Sequence, residues 1–304
     1  MKHLAKWTMI AAAAAGMAGS APAQTATRIT GCGVMADCLV LTFEGPGTTL
    51  LGTASLDHPD WVPVDGMSVS GNSATAPMGA CRFFAVAGDG VPAENSAGFA
   101  TWTVPAGKLQ IASVPFVNPS SEDGVFKFGV LKIAQDLPKG SMVLFWNAGS
   151  QAWSGGEKSA RGWATAQANH ALAPGEAFFV RNASDGDVTT TALGLVPTNA
   201  TSSVAYAGGG AWTPMACPYP VEVTFGDTEL AAQLPQGSTV LFWDVGRQGW
   251  SGGAKSARGW AAAQANRVIA PGEGFFVQSP VAGTWEAVRP YAPAVPPASG
   301  GGRP

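Results

Sequence analysis

Charge is scarce in this chain. Only 12% of its 304 residues are Asp, Glu, Lys or Arg, against a usual quarter, and the net charge of −3 comes with no basic cluster. That removes the electrostatic footprint of a nucleic-acid binder, so nucleic acid is not an expected partner. Helical periodicity is missing too. Past the N-terminal leader no apolar pattern repeats at about 3.6 residues, and Pro or Gly interrupts nearly every segment. No later run approaches about 18 uncharged apolar residues, so no membrane span is expected once the leader is removed.

Catalytic vocabulary is equally thin. His3 lies in the leader, and His170 becomes Arg267 in the second copy of the repeat described below, so a duplicated histidine base is excluded. No H-E-x-x-H and no Walker-type G-K-[ST] occurs. His58 has Asp57 and Asp60 beside it in SLDHPDW, yet a catalytic metal site gathers about three convergent protein ligands, and a short polar loop accounts for the cluster. Glu176 and its counterpart Glu273 are the one acid kept in both copies, short of the pair that glycoside hydrolysis needs. Just after a turn, this Glu is placed to hydrogen-bond nearby backbone amides. An enzyme, a metal and a cofactor are therefore not expected.

What the chain does contain is a sentence said twice. The run LPKGSMVLFWNAGSQAWSGGEKSARGWATAQANHALAPGEAFFV at 137–180 returns without a gap as LPQGSTVLFWDVGRQGWSGGAKSARGWAAAQANRVIAPGEGFFV at 234–277. About seven positions in ten are identical, the mark of a tandem folding unit. Within each copy LP-x-GS reads as a turn, VLFW as a strand, GGxKSARG as a long exposed connection and FFV as a closing strand. In Ala-Pro-Gly-Glu, Pro presets one corner and Gly accepts positive φ at the next, as a type II turn requires.

The ends of the chain set its location and its margins. Lys2, His3 and Lys6 precede an apolar stretch, and Ala21-Pro22-Ala23 offers small residues at a cleavage site, so 1–23 reads as a signal peptide and the mature protein as exported: extracellular, on the cell surface or periplasmic. The Pro- and Gly-rich residues 291–304 read as a disordered tail. Between them, short β-type segments joined by tight turns make an all-β chain of three small sandwich- or barrel-like units: 24–94, repeat 1 at 95–197 and repeat 2 at 198–290. Cys32, Cys38 and Cys81 sit in the first unit, where an oxidising compartment permits pairing; Cys32 with Cys38 can close a hairpin and Cys38 with Cys81 can staple two strands. Cys217 reads as a buried free thiol.

Two resemblances follow from these residues. Trp61-Val62-Pro63-Val64 before Cys81-Arg82-Phe83-Phe84-Ala85-Val86 resembles the fibronectin-type-III-like modules of exported bacterial proteins, which implies a spacer or display domain without catalytic residues. Gly140 to Trp146 with Ala173 to Val180, and Gly237 to Trp243 with Ala270 to Val277, resemble tandem modules of large exported bacterial proteins that close on PGEGFFV. Ala177 departs from that pattern where the second copy keeps Gly274, and Lys108-Leu109-Gln110 lacks the opening Trp. The resemblance implies an architecture and export, and no particular activity.

Function then rests on the identical WSGGxKSARGW. It places Trp153, Lys158, Arg161 and Trp163 in one copy and Trp250, Lys255, Arg258 and Trp260 in the other. Aromatics flanking cations can stack on a sugar while Lys and Arg hold hydroxyls or an acidic group; equally, the rings can fill a core with Arg stacked over one of them. Two readings result. The first is a non-catalytic exported structural or interaction protein whose partners are other exported proteins or itself. The alternative is a carbohydrate-binding protein taking polysaccharide at the two loops, with avidity from their linkage. Rings on an open face favour the second reading, and rings between sheets the first.

Overall fold

The structure is a computed structural model that describes residues 26–35, 38–79, 81–88 and 93–292. The signal peptide expected at 1–23 and residues 293–304 of the expected tail lie outside the described residues. Strands dominate, joined by antiparallel pairings, and the all-β class holds.

The N-terminal unit contributes β1 (Arg28–Met35), β2 (Cys38–Glu44), β3 (Thr49–Thr53), β4 (Val62–Pro63), β5 (Ser68–Ser70), β6 (Ser73–Pro77) and β7 (Phe83–Ala87). One sheet runs β1-β2-β6-β5. Alternation along β2 turns Leu39, Leu41 and Phe43 inward, where they meet Leu50 of β3 and Phe84 and Val86 of β7. The opposing sheet does not stop at the boundary expected at 94/95. Its order is β15-β8-β7-β3-β4, and its first two members, β15 (Val188–Leu195) and β8 (Ala97–Val104), belong to the first repeat. Phe84 lies opposite Ala97 and Phe83 opposite Gly98, while the Phe99 amide donates to the Arg82 carbonyl at 3.0 Å. Ala97, Phe99, Leu193 and Leu195 thereby join the N-terminal core. Without β8, β7 would be an open apolar edge, which proteins avoid.

Between β8 and β15 the first repeat runs β9 (Leu109–Ser113), β10 (Phe126–Lys127), α1 (Lys132–Asp136), β11 (Met142–Asn147), β12 (Ala152–Glu157), α2 (Thr165–Ala168), β13 (Ala171–Leu172) and β14 (Ala177–Arg181). The second repeats the order as β16 (Thr201–Tyr206), β17 (Trp212–Ala216), β18 (Val223–Thr224), α3 (Glu229–Gln233), β19 (Thr239–Asp244), β20 (Gly249–Ala254), α4 (Ala262–Ala265), β21 (Val268–Ile269), β22 (Gly274–Gln278) and β23 (Gly283–Val288). Each copy has a four-stranded sheet, β12-β11-β14-β9 or β20-β19-β22-β17. The two glycines that open GGxKSARG, read from sequence as part of an exposed connection, are instead strand: β12 and β20 pair along β11 and β19, with Trp153 opposite Trp146 and Trp250 opposite Trp243.

A fully buried ring organises the inner side of each sheet. Phe128 meets Phe145, Phe178 and Trp163 edge-on at 5.5, 5.7 and 5.1 Å. Phe225 meets Phe242, Phe275 and Trp260 at 5.7, 6.2 and 5.1 Å. Edge-to-face pairs add about 0.5–1.5 kcal/mol each to the burial term. Both rings belong to one continuous core that passes through the two repeats. The second repeat differs on the far side of its β16–β23 ribbon. Thr201, Ser203, Glu286 and Val288 are exposed there, so the face that the N-terminal sandwich covers in the first repeat is mostly polar in the second.

Phe128→Ala and Phe225→Ala should each destabilise the protein by about 3–5 kcal/mol, the range for emptying a buried aromatic site. Urea unfolding followed by near-UV circular dichroism measures it. A cost below about 1 kcal/mol for either would deny these rings their central place.

Candidate functional site

β14 and β22 are buried on both faces. Phe178 and Val180 point into their own repeat, while Ala177 and Phe179 meet Ile111, Ala216 and Phe276 across a second interface. The two four-stranded sheets therefore lie face to face, and the contacts between them are reciprocal. Trp146 Nε1 donates to the Trp212 carbonyl at 3.0 Å, and Trp243 Nε1 donates to the Leu109 carbonyl at 3.0 Å. The Trp212 amide donates to Gln151 Oε1 at 2.6 Å and the Leu109 amide to Gln248 Oε1 at 2.8 Å. Each amide nitrogen returns a bond, Gln151 Nε2 to the Trp212 carbonyl at 3.2 Å and Gln248 Nε2 to the Leu109 carbonyl at 3.0 Å. At the other end of these strands the Ser113 amide reaches the Gly272 carbonyl, and the Ala216 amide the Gly175 carbonyl, both at 2.9 Å. Each of these contacts has its image in the other copy, which makes this a two-fold, isologous interface built within one chain.

The two glutamines are the only described non-glycine residues with positive φ, each at 51°. A left-handed conformation costs a non-glycine residue about 1–3 kcal/mol and persists only where its surroundings demand it. Here the demand is visible: each hairpin corner aims a side-chain amide at the first residue of the other repeat's β9 or β17, supplying both a donor and an acceptor to an edge that would otherwise end unpaired.

The expected ligand-binding set is divided among three places. Trp153 and Trp250 enter the seam, edge-on to Phe179 at 5.0 Å and to Phe276 at 5.0 Å respectively, and also near the phenylalanine of the other repeat. Trp163 and Trp260 pack against the core, and their Nε1 atoms donate to Ala134 and Ala231 carbonyls at 2.8 and 2.9 Å. Lys158 donates to the carbonyls of Ala134, Gln135 and Leu137 at 2.8, 2.9 and 2.6 Å, and Lys255 to those of Ala231, Ala232 and Leu234 at 2.8, 3.0 and 2.7 Å. Each ammonium spends all three donors on the carbonyls left open at the end of α1 or α3, and lies 5.9 Å from the adjacent indole centre. Arg161 and Arg258 are exposed on their turns.

The conserved turn acid is tied down as well. Glu176 Oε2 accepts from the Ala173 amide and Glu273 Oε2 from the Ala270 amide, both at 3.1 Å. The other oxygen meets His170 at 3.0 Å in one copy and Arg267 in the other. His170 stacks on Phe145 at 3.7 Å, and Arg267 lies over Phe242 at 5.5 Å, so a flat cationic or polar group fills the same place in both. Burial raises the Glu273 carboxyl above its ordinary value, against the opposing pull of the Ala270 amide and Arg267.

Sequence reasoning passed over one motif. Gly249-Trp250-Ser251-Gly252-Gly253 has the spelling G-x-S-x-G. It lies within β20 and not at a strand-to-helix elbow, and Ser251 Oγ donates to the Phe242 carbonyl at 3.4 Å, as Ser154 does to Phe145 at 3.3 Å, so this serine, although exposed, lacks the strained turn of a hydrolase nucleophile. The sulfurs form no bridge. Cys32, Cys38 and Cys81 are free and partly buried, which departs from the disulfide expectation. In β1 and β2, Cys32 lies opposite Leu41 and Cys38 opposite Met35, so the hairpin register itself separates the first pair. Cys217 is free and buried, and burial pushes its thiol, like that of Cys32, up to about 12. Asp57, His58 and Asp60 sit exposed on a loop, and among the described residues no three His, Cys, Asp or Glu gather as a metal site. No described helix is long and apolar enough to cross a membrane. Comparison with protein-family models, with curated proteins and with solved structures returns no match.

Two outcomes follow from this geometry. A Cβ placed on Gly274 would stand 2.6 Å from the Ala177 Cβ and 2.7 Å from Ile111 Cγ1, at the centre of the seam. Gly274→Ala should therefore cost about 1–3 kcal/mol through overpacking, whereas Ala177→Gly removes a single methyl and should cost less; paired chemical denaturation curves compare them. Lys158→Met should cost about 1–3 kcal/mol by removing the lysine donor from the Gln135 and Leu137 carbonyls, the Ala134 carbonyl keeping Trp163, with Arg161→Ala near zero, and differential scanning calorimetry of the two variants separates a capping role from a surface one.

Proposed function

We propose that this chain is an exported, non-catalytic structural or interaction protein. Its two tandem modules form one rigid pseudo-symmetric body and carry the N-terminal sandwich on the first of them. The observation behind this reading is the reciprocal seam. The repeated tryptophans form no shared open platform: Trp153 is partly buried in the seam, Trp163 and Trp260 pack against the core, and Trp250 is 41% exposed at the seam's rim, while the repeated lysines cap helices. The carboxylates kept or newly placed near the seam also have structural occupations: Glu273 closes its turn, and Asp244 accepts from the Arg247 amide at 2.9 Å, as Asn147 accepts from Ser150 in the other copy. A rigid body with strands shared across its parts suits a spacer or scaffold, because shared strands hold relative orientation where flexible linkers would not. The partners consistent with it are other exported proteins or further copies of the chain.

Calorimetry and substrate turnover test the reading together. We expect the mature protein to melt in one cooperative transition, and Gly274→Ala to lower that single transition instead of splitting it. Two separable melts for the repeats would sink the rigid-body account. Release of product from a panel of polysaccharides, abolished in Glu273→Gln, would sink the non-catalytic one.

A further inference from the structure

The two-fold seam contains one marked asymmetry. At each end of it, the Pro-Gly turn of one repeat presses on the first strand of the other. A Cβ on Gly175 would stand 2.5 Å from Val204 Cγ2, and a Cβ on Gly272 would stand 2.3 Å from Trp102 Nε1 and 2.6 Å from its ring. Val204 and Trp102 are thus equivalent positions, and each glycine, already favoured by the positive φ of its turn, also leaves room for a side chain to lie against it. Val204 is buried, whereas Trp102 is only partly covered. Its Nε1 reaches the Pro271 carbonyl at 3.4 Å, and its ring lines a groove of about 530 Å³ between the repeats.

The groove has a second aromatic wall in Trp243 and a polar floor that includes Thr103, Gln110, Asp244 and Arg267. A volume of this size falls within the range of small-ligand sites. Charge narrows the ligand. Arg267 is paired with Glu273, and Asp244 lies 3.7 Å from Arg247, so each charged side chain named in the groove already has an opposite partner. An anionic or cationic ligand would have to displace one of these partners. A purely apolar ligand would strip water from hydroxyl, amide and carboxylate groups without replacing their hydrogen bonds. A neutral ring with apolar C–H faces and hydroxyl edges meets both demands, its faces against indole and its hydroxyls toward mixed donors and acceptors.

We infer that this groove is a single binding site for a short neutral oligosaccharide, with Trp102 as its stacking platform. The site goes beyond the interaction role proposed above and does not use the repeated Lys and Arg loops. It occurs once per chain: the equivalent positions at the other end of the seam are Val204, Thr213, Asn147 and His170.

The test titrates the intact protein with cellotriose, maltotriose, xylotriose and tri-N-acetylchitotriose, all neutral, by calorimetry and ligand-observed NMR. At least one should bind with a Kd on the order of 1 mM or tighter and a stoichiometry of one. Trp102→Val and Asp244→Asn, which install the residues found at the equivalent positions, should each weaken binding at least tenfold while the protein still melts cooperatively. No saturable binding of any of the four up to about 10 mM overturns the site. So does binding that survives both substitutions, or that is lost in Arg161→Ala with Arg258→Ala instead. Failure here leaves the rigid-body reading standing, whereas cleavage of a trisaccharide would overturn the non-catalytic reading and keep the groove.

Discussion

Two glutamine side chains, each held in a left-handed corner, define how this molecule is assembled. Gln151 and Gln248 reach from one repeat to the first residue of an edge strand in the other, and the indoles beside them, Trp146 and Trp243, bond to the same carbonyls. Hydrogen bonds of this kind contribute about 0.5–1.5 kcal/mol each, and far more is lost if a partner is left buried and unmet. Their larger effect is on register. A sheet face of Trp, Phe and Leu can slide on a similar face with little change in burial, but two bidentate amides at opposite ends of the seam admit one alignment.

From that alignment the other arrangements follow. Facing the sheets buries β14 and β22 on both sides, which is why AFFV and GFFV are continuous apolar runs where a surface strand would alternate. It brings each Pro-Gly turn against the first strand of the other copy. It also leaves the β8–β15 ribbon of the first repeat with an outward apolar face, Phe99 with Leu193 and Leu195, on which the N-terminal sandwich completes its core. The second repeat carries Thr201 and Val288 near the corresponding positions and a predominantly polar face, so growth of the sheet stops there. One duplicated unit thus serves two roles through a few changes of polarity.

Much of this was legible locally. Pro174, Gly175, Pro271 and Gly272 announced their turns because φ preferences act over two residues, and Glu176 and Glu273 were readable as turn acids for the same reason. The all-β class was readable from the spacing of short apolar runs. The seam was not read, although its signal was present: VLFW and FFV are apolar at successive positions, and a strand apolar on both faces must be covered on both. Lys158 and Lys255 were hidden differently. Each serves a helix more than twenty residues upstream, and α1 and α3, five residues long, are too short for a 3.6-residue pattern to declare itself. The boundary at 94/95 marked where the first unit's short β-type segments give way to the repeat, while pairing between Phe84 and Ala97 depends on a tertiary contact that a local pattern does not record.

Identity between the copies at the seam itself is constrained by such a geometry. A residue at an isologous seam faces its own equivalent or near-equivalent, so a change in one copy alters the surface that the other must match. Close to the axis this constraint is severe. Ala177 and Gly274 face each other with room for one methyl, and an alanine in both places would bring two Cβ atoms to 2.6 Å. The pair is therefore complementary and not symmetric: a first repeat fits a second repeat, while two first repeats would collide. Away from the axis the constraint relaxes, because each end of the seam involves one set of residues from each copy. That is where Trp102 and Val204, and Arg267 and His170, have diverged. Asymmetry accumulates where the two-fold relation permits it, and a site confined to one end of the seam is the form that divergence takes.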